Sequence, residues 1–236
     1  MSRFVFIGVT TGSSSIMGIF PRWRDVLGLE GGAELVGRDL PVDASAETYR
    51  AVIEELVADP EFGGALVTTH KIGIYQAARD LFTRVDELAE LCGEVSCVAM
   101  RDGGLIGWAK DPVAAGRSLE RILDPAHFRA GGGHVLCMGA GGSGTAIAVY
   151  LLARRASGDH PARIVVTDRS PERLARLRGT LARIDHGAEV ELAGPERHEQ
   201  LLAGLPPHSL VVNATGMGKD IEGSPLPPEA VFPERA

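Results

Sequence analysis

The stretch "HVLCMGAGGSGTAIAVYLLAR", residues 134–154, constrains the fold most, because an apolar run passes directly into a glycine-rich turn and then into a long helix-forming segment. Gly139, Gly141 and Gly144 have the GxGxxG spacing, Gly142 reduces crowding further, and Ala140 and Ser143 fill the intervening positions. A turn of this kind between strand and helix lets a pyrophosphate approach backbone donors at the positive end of the helix. The same spacing also describes a tight structural turn, so the flanking strand and helix carry the dinucleotide reading.

The next apolar strand ends in "VVTDRS" and places Asp168 29 residues beyond Gly139. An acid there is expected to accept from both adenosine ribose hydroxyls and to repel a phosphate, which favours NAD. Arg169 pulls the other way, because a guanidinium stacks on adenine or binds the extra phosphate of NADP. NAD is the favoured cofactor and NADP the alternative. The bland reading of the two residues is a surface pair closing a loop.

A chain of 236 residues suits two modest domains. The break falls at 124–133, where Pro125 and the run Gly131, Gly132 and Gly133 interrupt the pattern, giving domains 1–123 and 124–236. The second reads as strand 134–138, helix 143–156, strand 162–167, helix 171–184 and a strand near 209–212, an alternation that favours an open parallel α/β sheet. The first opens with strand 3–9 and a strand within 34–42. A helix follows over 45–60, with Ser45 as N-cap and Tyr49, Val52, Ile53, Leu56 and Val57 on one face. A strand centred on 65–67 puts Thr68 to Lys71 just past its end. Helices near 73–80 and 84–91, strands 95–100 and 105–108, and a helix beginning near Val113 complete it. Pro112 suits that helix's first turn, which leaves Asp111 in the junction before it.

The formal net charge of -7 argues against a nonspecific nucleic-acid partner, because no basic tract offsets the repulsion from phosphate. Cys92, Cys97 and Cys137 have no metal-ligand spacing, and their odd number gives no disulfide framework. The apolar start "FVFIGV" is too short to span a membrane and lacks a secretory pattern, so neither a membrane partner nor a metal is expected and a cytoplasmic location is.

The segments "GALVTTHK", "GEVSCV", "GLIGWAKDP", "VLCMGAGGSG", "VVTDRS" and "VVNATGMG" together resemble the shikimate/quinate dehydrogenase family. The resemblance implies an α/β fold in which an N-terminal substrate-binding α/β domain precedes a Rossmann-like parallel-sheet dinucleotide domain. It also implies reversible hydride transfer, linked to NAD or NADP, on a small polar cyclic alcohol or ketone. "LVTTHK" is similar to the family's Asn-Val-Thr-x-Pro-x-Lys with one position deleted, which puts Lys71 on the catalytic lysine and Thr68 beside the substrate. "GLIGWAKDP" is similar to Gly-x-Asn-Thr-Asp-Gly, so Asp111 falls on the partner aspartate, while Ala109 and Lys110 replace Asn and Thr. Lys71 is then a general acid, a member of a proton relay or an alkoxide-stabilising cation, and the Lys110 charge suits an anionic substrate. His70 is left to a structural role, since the family pattern does not require it.

The substrate grip departs further. "TTGSSSIMGIFP" places Ser14 on the first serine of a Ser-x-Ser-Pro pattern, with Ile16 on the second, while Ser13 and Ser15 compensate if this loop is shifted. Ser96 and Cys97 stand where the family has Asn-Thr, which keeps one hydroxyl. The resemblance thus makes Ser14, Ser15, Thr68, Ser96 and Lys110 the substrate contacts and points away from shikimate itself. "NATGMG" is similar to a contracted form of the family's loop beside the nicotinamide, with Asn213 and Thr215 fixing ribose or loop and Met217 packing there. A relative ordinarily continues beyond "SPLPPEAVFPERA" into another strand and helix, so the sequence is either truncated or completes its cleft differently. The rival reading of the departures is a catalytically weakened nucleotide-binding regulatory protein.

Overall fold

The computed structural model describes residues 2–29, 32–154, 158–218 and 222–235. These form two compact units, 1–110 and 111–236. The first runs β1 (Arg3–Gly8), α1 (Ser15–Val26), β2 (Glu34–Asp39), α2 (Ala46–Ala58), β3 (Phe62–Val67), α3 (Lys71–Ala78), β4 (Arg84–Val85), α4 (Glu87–Cys92), β5 (Cys97–Arg101) and β6 (Gly104–Trp108). Its sheet has the order β2-β1-β3-β5-β6-β4. β1 is parallel to β2 and β3, β5 is antiparallel to β3 and β6, and β4 is parallel to β6.

Helix α2 follows from its sequence. Tyr49, Val52, Ile53 and Leu56 recur at helical spacing and are buried against Val5, Ile7 and Val67 of the sheet. Each such burial contributes roughly 1.5–3 kcal/mol. Ser45 caps the helix, its side-chain oxygen accepting from the Thr48 N–H at 3.2 Å. Phe4 meets Phe20 of α1, with ring centroids 5.6 Å apart, while its chain neighbour Val5 shares a groove with Val52 of α2. Neighbouring strand residues point to opposite faces, so α1 and α2 cover opposite sides of the sheet.

The second unit runs α5 (Asp111–Leu119), α6 (His127–Gly131), β7 (Val135–Met138), α7 (Gly142–Ala153), β8 (Arg163–Thr167), α8 (Pro171–Leu181), β9 (Glu189–Ala193), α9 (His198–Ala203) and β10 (Leu210–Asn213). All neighbours in its sheet, β10-β7-β8-β9, are parallel. Both faces of such a sheet are covered, which is why β7 is buried along its whole length.

Several elements differ from the sequence expectations. Residues 15–26 form helix α1 rather than a loop, although Pro21 lies inside it and none of its residues is fully buried. Residues 84–85 pair with β6, and the helix expected over 84–91 begins only at Glu87 because the Asp86 carboxylate caps it through the Ala89 N–H at 2.8 Å. Asp111 is the first helical residue of α5 rather than a junction residue, in the turn where an acid is favoured by the helix dipole and Pro112 is tolerated. The two units divide ahead of α5 rather than at 123/124, because α5 packs on α7 so closely that a side chain at Gly116 would collide with the Tyr150 ring. Strand β9 and helix α9 had no sequence expectation. The helix expected over 143–156 is described as far as Ala153, and its positions 155 and 156 lie outside the described residues.

Replacing Ser45 with alanine is expected to remove about 1 kcal/mol from the first unit, the usual worth of a hydroxyl N-cap. Urea unfolding followed by amide exchange at residues 46–50 reads the change, and unaltered protection there would show that the cap contributes nothing.

Candidate dinucleotide site and proton-handling turn

The glycine turn stands between the end of β7 and the start of α7, and its three glycines do different physical work. Gly139 has φ +114°, and a side chain there would collide with the Ala214 carbonyl. At Gly144 a side chain would strike the Gly139 carbonyl, so this glycine lets the helix approach the turn. Around Gly141, the N-cap of α7, an added Cβ would meet nothing within 4 Å. The turn is therefore crowded where the fold closes on itself and open where a ligand would approach. The first-turn amides of a helix have no intrahelical partner and carry the positive end of its dipole, which suits an anion. Gly142 and Ser143 belong to that first turn, and Ser143 is exposed.

Asp168 stands one residue past β8 and is turned inward, its side chain only 5% exposed. One oxygen accepts from the Ala140 N–H at 2.8 Å, the other from the Ser170 N–H at 2.8 Å, and Arg173 approaches to 3.8 Å. The expected acid therefore holds the glycine turn itself, with Arg169 exposed beside it. A cavity of about 420 Å³ opens here, lined by Thr167, Asp168, Arg169, Arg173, His198 and Thr215 among others. His198 and Arg173 were not among the sequence candidates. Arg173 was legible in principle, since Ser170 and Pro171 mark a helix start and place it in the first turn.

His198 links two segments of this cavity. Its Nδ1 lies 3.0 Å from the Pro225 carbonyl, which only accepts, so Nδ1 carries the proton. In the neutral ring Nε2 then accepts from the Thr167 hydroxyl at 2.6 Å. The loop after β10 is held internally as well. Asn213 Oδ1 accepts from the Thr215 N–H and hydroxyl at 3.1 and 2.7 Å, and Asn213 Nδ2 donates to the Met217 carbonyl at 3.0 Å. The Met217 N–H closes the ring of contacts on the Thr215 hydroxyl at 3.1 Å. Asn213 thus fixes this loop.

In the first unit, β3 ends at Val67 and the chain turns through Thr68 into α3, with the Lys71 N–H donating to the Thr68 carbonyl at 3.1 Å. Lys71 is the first residue of α3 and is half-buried. His70 beside it is buried, its Nδ1 3.0 Å from the Tyr49 hydroxyl. Burial pushes the His70 imidazole below its ordinary value, which keeps the ring neutral. Tyr49 reaches it by lying over Gly73, where any side chain would strike the phenol ring. His70 is thus a structural anchor of the turn that presents Lys71.

The remaining candidates are distributed as follows. Ser14 is the N-cap of α1 without a side-chain capping bond, and Ser15 is the first, exposed residue of that helix. The Ser14 N–H donates to the Thr11 carbonyl at 3.0 Å, and Thr11 is in turn fixed by the Asp39 carboxylate, which accepts from its N–H at 2.7 Å and its hydroxyl at 2.5 Å. Those bonds hold the Asp39 carboxyl below the usual carboxylate range, the hydroxyl first and the amide second. Ser96 is buried, and its hydroxyl accepts from the Lys110 N–H at 2.8 Å and donates to the Trp108 carbonyl at 3.3 Å. Lys110 points its ammonium toward Asp86 at 3.7 Å and over the Trp108 ring. Asp111 opens the second unit.

Cys92 and Cys137 are buried and Cys97 is half-buried, all as thiols outside any disulfide, and burial pushes the Cys137 thiol up to about 12. Among the described residues, no group of three or more His, Cys, Asp or Glu side chains is arranged to hold a metal ion, and no helix is long and apolar enough to cross a membrane.

No family model matches the chain. A curated shikimate dehydrogenase (NADP(+)) from Symbiobacterium thermophilum is 30% identical over 183 residues, covering 77% of this chain and 59% of its own length. The match thus spans little more than half of that relative. Among solved structures, shikimate 5-dehydrogenase from Thermus thermophilus, in complex with NADP(H) and shikimate, has a TM-score of 0.64 and 26% identity over 99% of this chain and 76% of that one. Shikimate 5-dehydrogenase from Listeria monocytogenes, in complex with shikimate and NAD, has a TM-score of 0.66 and 24% identity over 95% of this chain and 72% of that one.

Gly141 and Gly144 are expected to separate stability from binding. Gly144→Ala should destabilise the second unit by about 3 kcal/mol, as overpacking against rigid backbone does. Gly141→Ala should leave the melting temperature unchanged and weaken dinucleotide binding. Calorimetry and titration of NAD(P)H fluorescence check the pair, and equal effects on both quantities would refute the division of roles.

Proposed function

Because this chain is a family-level homologue of the shikimate/quinate dehydrogenases, we propose that it catalyses reversible hydride transfer between a nicotinamide dinucleotide and a small polar cyclic alcohol or ketone. The observation that carries the reading is the glycine turn, crowded at Gly139 and Gly144 and open at Gly141. The residues fit a dinucleotide: the first-turn amides of α7 would hold its pyrophosphate, Asp168, Arg169 and Arg173 would meet the adenosine end, and the resemblance assigns Asn213, Thr215 and Met217 to the nicotinamide side. When bound, the cofactor supplies the hydride acceptor or donor.

This chain's own residues handle the proton. In the reductive direction the Lys71 ammonium donates a proton to the developing alkoxide, and in the oxidative direction the hydroxyl proton passes to solvent through a relay in which Lys71 steadies that alkoxide; the motif match assigns Asp111 a share of the proton work. The assignment rests on the motif match at both residues and on the place of Lys71 at the strand end of β3. Ser14, Ser15 and Thr68 are assigned to the substrate, an anionic hydroxy acid suiting the Lys110 charge. Ser96 contributes by holding the Lys110 backbone, since its own hydroxyl is engaged on both sides.

NAD is the favoured cofactor on the strength of Asp168, whose charge opposes a ribose phosphate, and Arg169 and Arg173 leave NADP accommodated. A spectrophotometric screen of NAD and NADP with cyclic hydroxy acids, keto acids and polyols tests the reading. Lys71→Ala should lower turnover by roughly 10²–10⁴ while leaving dinucleotide binding intact. Unchanged turnover would remove Lys71 from the mechanism, and wild-type protein that binds dinucleotide without turnover across the screen would favour the regulatory alternative. Asp168→Asn should move the ratio of kcat/KM toward NADP by about five- to tenfold, the effect of removing one charge near a phosphate. A ratio that stayed constant would show that Asp168 serves only the turn.

A further inference from the structure

Helix α5 opens on Asp111, and its buried positions are Pro112, Gly116 and Leu119. These recur at i, i+4 and i+7, so they share one face of the helix. At Gly116 the Tyr150 ring of α7 lies against the α5 backbone, and an added Cβ would stand 2.1 Å from the nearest ring carbon. The Tyr150 hydroxyl donates to the Glu120 carboxylate, just past the end of α5, at 2.5 Å. Arg154 lies over the same ring, its guanidinium carbon 5.5 Å from the centroid.

Gly116 is the one glycine in α5, and every other residue of that helix carries a Cβ. The ring therefore fits at one place. A slip of α5 by one residue in either direction would set Ala115 or Arg117 against it, so the contact fixes register as well as closeness. Tyr150 also stands on the helix that the glycine turn opens, about two turns beyond Gly142. A single rigid element thus holds the amides proposed for the pyrophosphate at its head and the seat of the Asp111 helix farther along.

We propose that Tyr150 is a positioning residue for Asp111: seated in the gap at Gly116, it fixes α5 on α7 and so sets that carboxylate relative to the dinucleotide turn. The inference rests on the hydride-transfer reading above, in which Asp111 shares the proton work. Misplacing a reacting group by about 1 Å costs up to roughly a hundredfold in rate, whereas the pyrophosphate amides lie at the other end of α7. A change at Tyr150 accordingly acts on turnover rather than on cofactor affinity. The ring does the positioning, since the hydroxyl bond to Glu120 is exposed.

The test combines steady-state kinetics, NAD(P)H titration and amide exchange on the full chain. Its substrate is whichever cyclic hydroxy acid, keto acid or polyol of the screen the wild type turns over fastest. Tyr150→Leu, which keeps apolar bulk without the ring, and Gly116→Ala, which pushes the ring away, should each lower kcat by roughly ten- to a hundredfold and leave the NAD(P)H dissociation constant within about twofold. Tyr150→Phe should keep most of the wild-type kcat. In an Asp111→Asn background Tyr150→Leu should cost little more, because residues that act through one another are not additive. Amides 113–119 should exchange about tenfold faster in Tyr150→Leu than in the wild type, with those of 145–152 unchanged. Unaltered exchange at 113–119, a Tyr150→Phe as slow as Tyr150→Leu, or the same loss of kcat with and without Asp111 would each overturn the proposal. A wild type with no turnover would sink the hydride-transfer reading, and the exchange at 113–119 would still decide whether Tyr150 fixes the helix that carries Asp111.

Discussion

The inward turn of the Asp168 carboxylate is the contact on which the second unit's site depends. With 5% of its side chain exposed, it joins the Ala140 amide in the glycine turn to the Ser170 amide at the head of α8. Hydrogen bonds from amides to an ionised carboxylate are stronger than those between neutral groups. The two strand-to-helix turns of the α/β sheet are thereby set against each other, and the crowding of Gly139 and Gly144 closes the remaining freedom. Gly141 is left open because its neighbours are fixed. Asp168 also lines the neighbouring cavity, so one residue both shapes the turn and contributes to the wall beside it.

The second unit was the more legible in sequence, for a physical reason. Strand and helix alternate there with spacings set by covalent reach, and a glycine turn between them leaves few folds open. β7, α7, β8, α8 and β10 lie where the apolar periodicity put them, to within a few residues. β9 was illegible because "EVELAGP" carries two acids that are stabilised by arginines elsewhere, Glu191 by Arg163 and Arg197 among them. Helix α1 was illegible for the opposite reason. Its start is a run of serines and its interior contains Pro21, both local signals for a loop, and its apolar stripe buries no residue fully. The inward direction of Asp168 and the His198 contacts had no local signal at all, since both depend on partners brought in by the sheet.

The first unit sets His70 directly beside Lys71, and two adjacent polar groups at a strand end would ordinarily both face solvent. Here His70 goes inward, where the Tyr49 hydroxyl meets it, and Tyr49 fits only because Gly73 leaves room for its ring. The Tyr49 hydroxyl meets one ring nitrogen, Nδ1, whose burial without a partner would cost roughly 1–3 kcal/mol, so that hydroxyl and the Gly73 gap favour the inward position of His70. With His70 anchored and the Lys71 amide tied to Thr68, the lysine starts α3 in a defined place.

Polar side chains of the same unit are spent on its backbone. Ser96 engages its hydroxyl with the Lys110 amide and the Trp108 carbonyl, and the Thr11 turn ahead of Ser14 is fixed by Asp39, with Ser13 donating to the Thr10 carbonyl. Each of these bonds fixes the path of the chain and engages a side-chain oxygen. A site whose polar groups are engaged in this way discriminates less by hydroxyl pattern than one built from a dense array of directed hydrogen bonds, because fewer buried groups are left unpaired when a hydroxyl is missing.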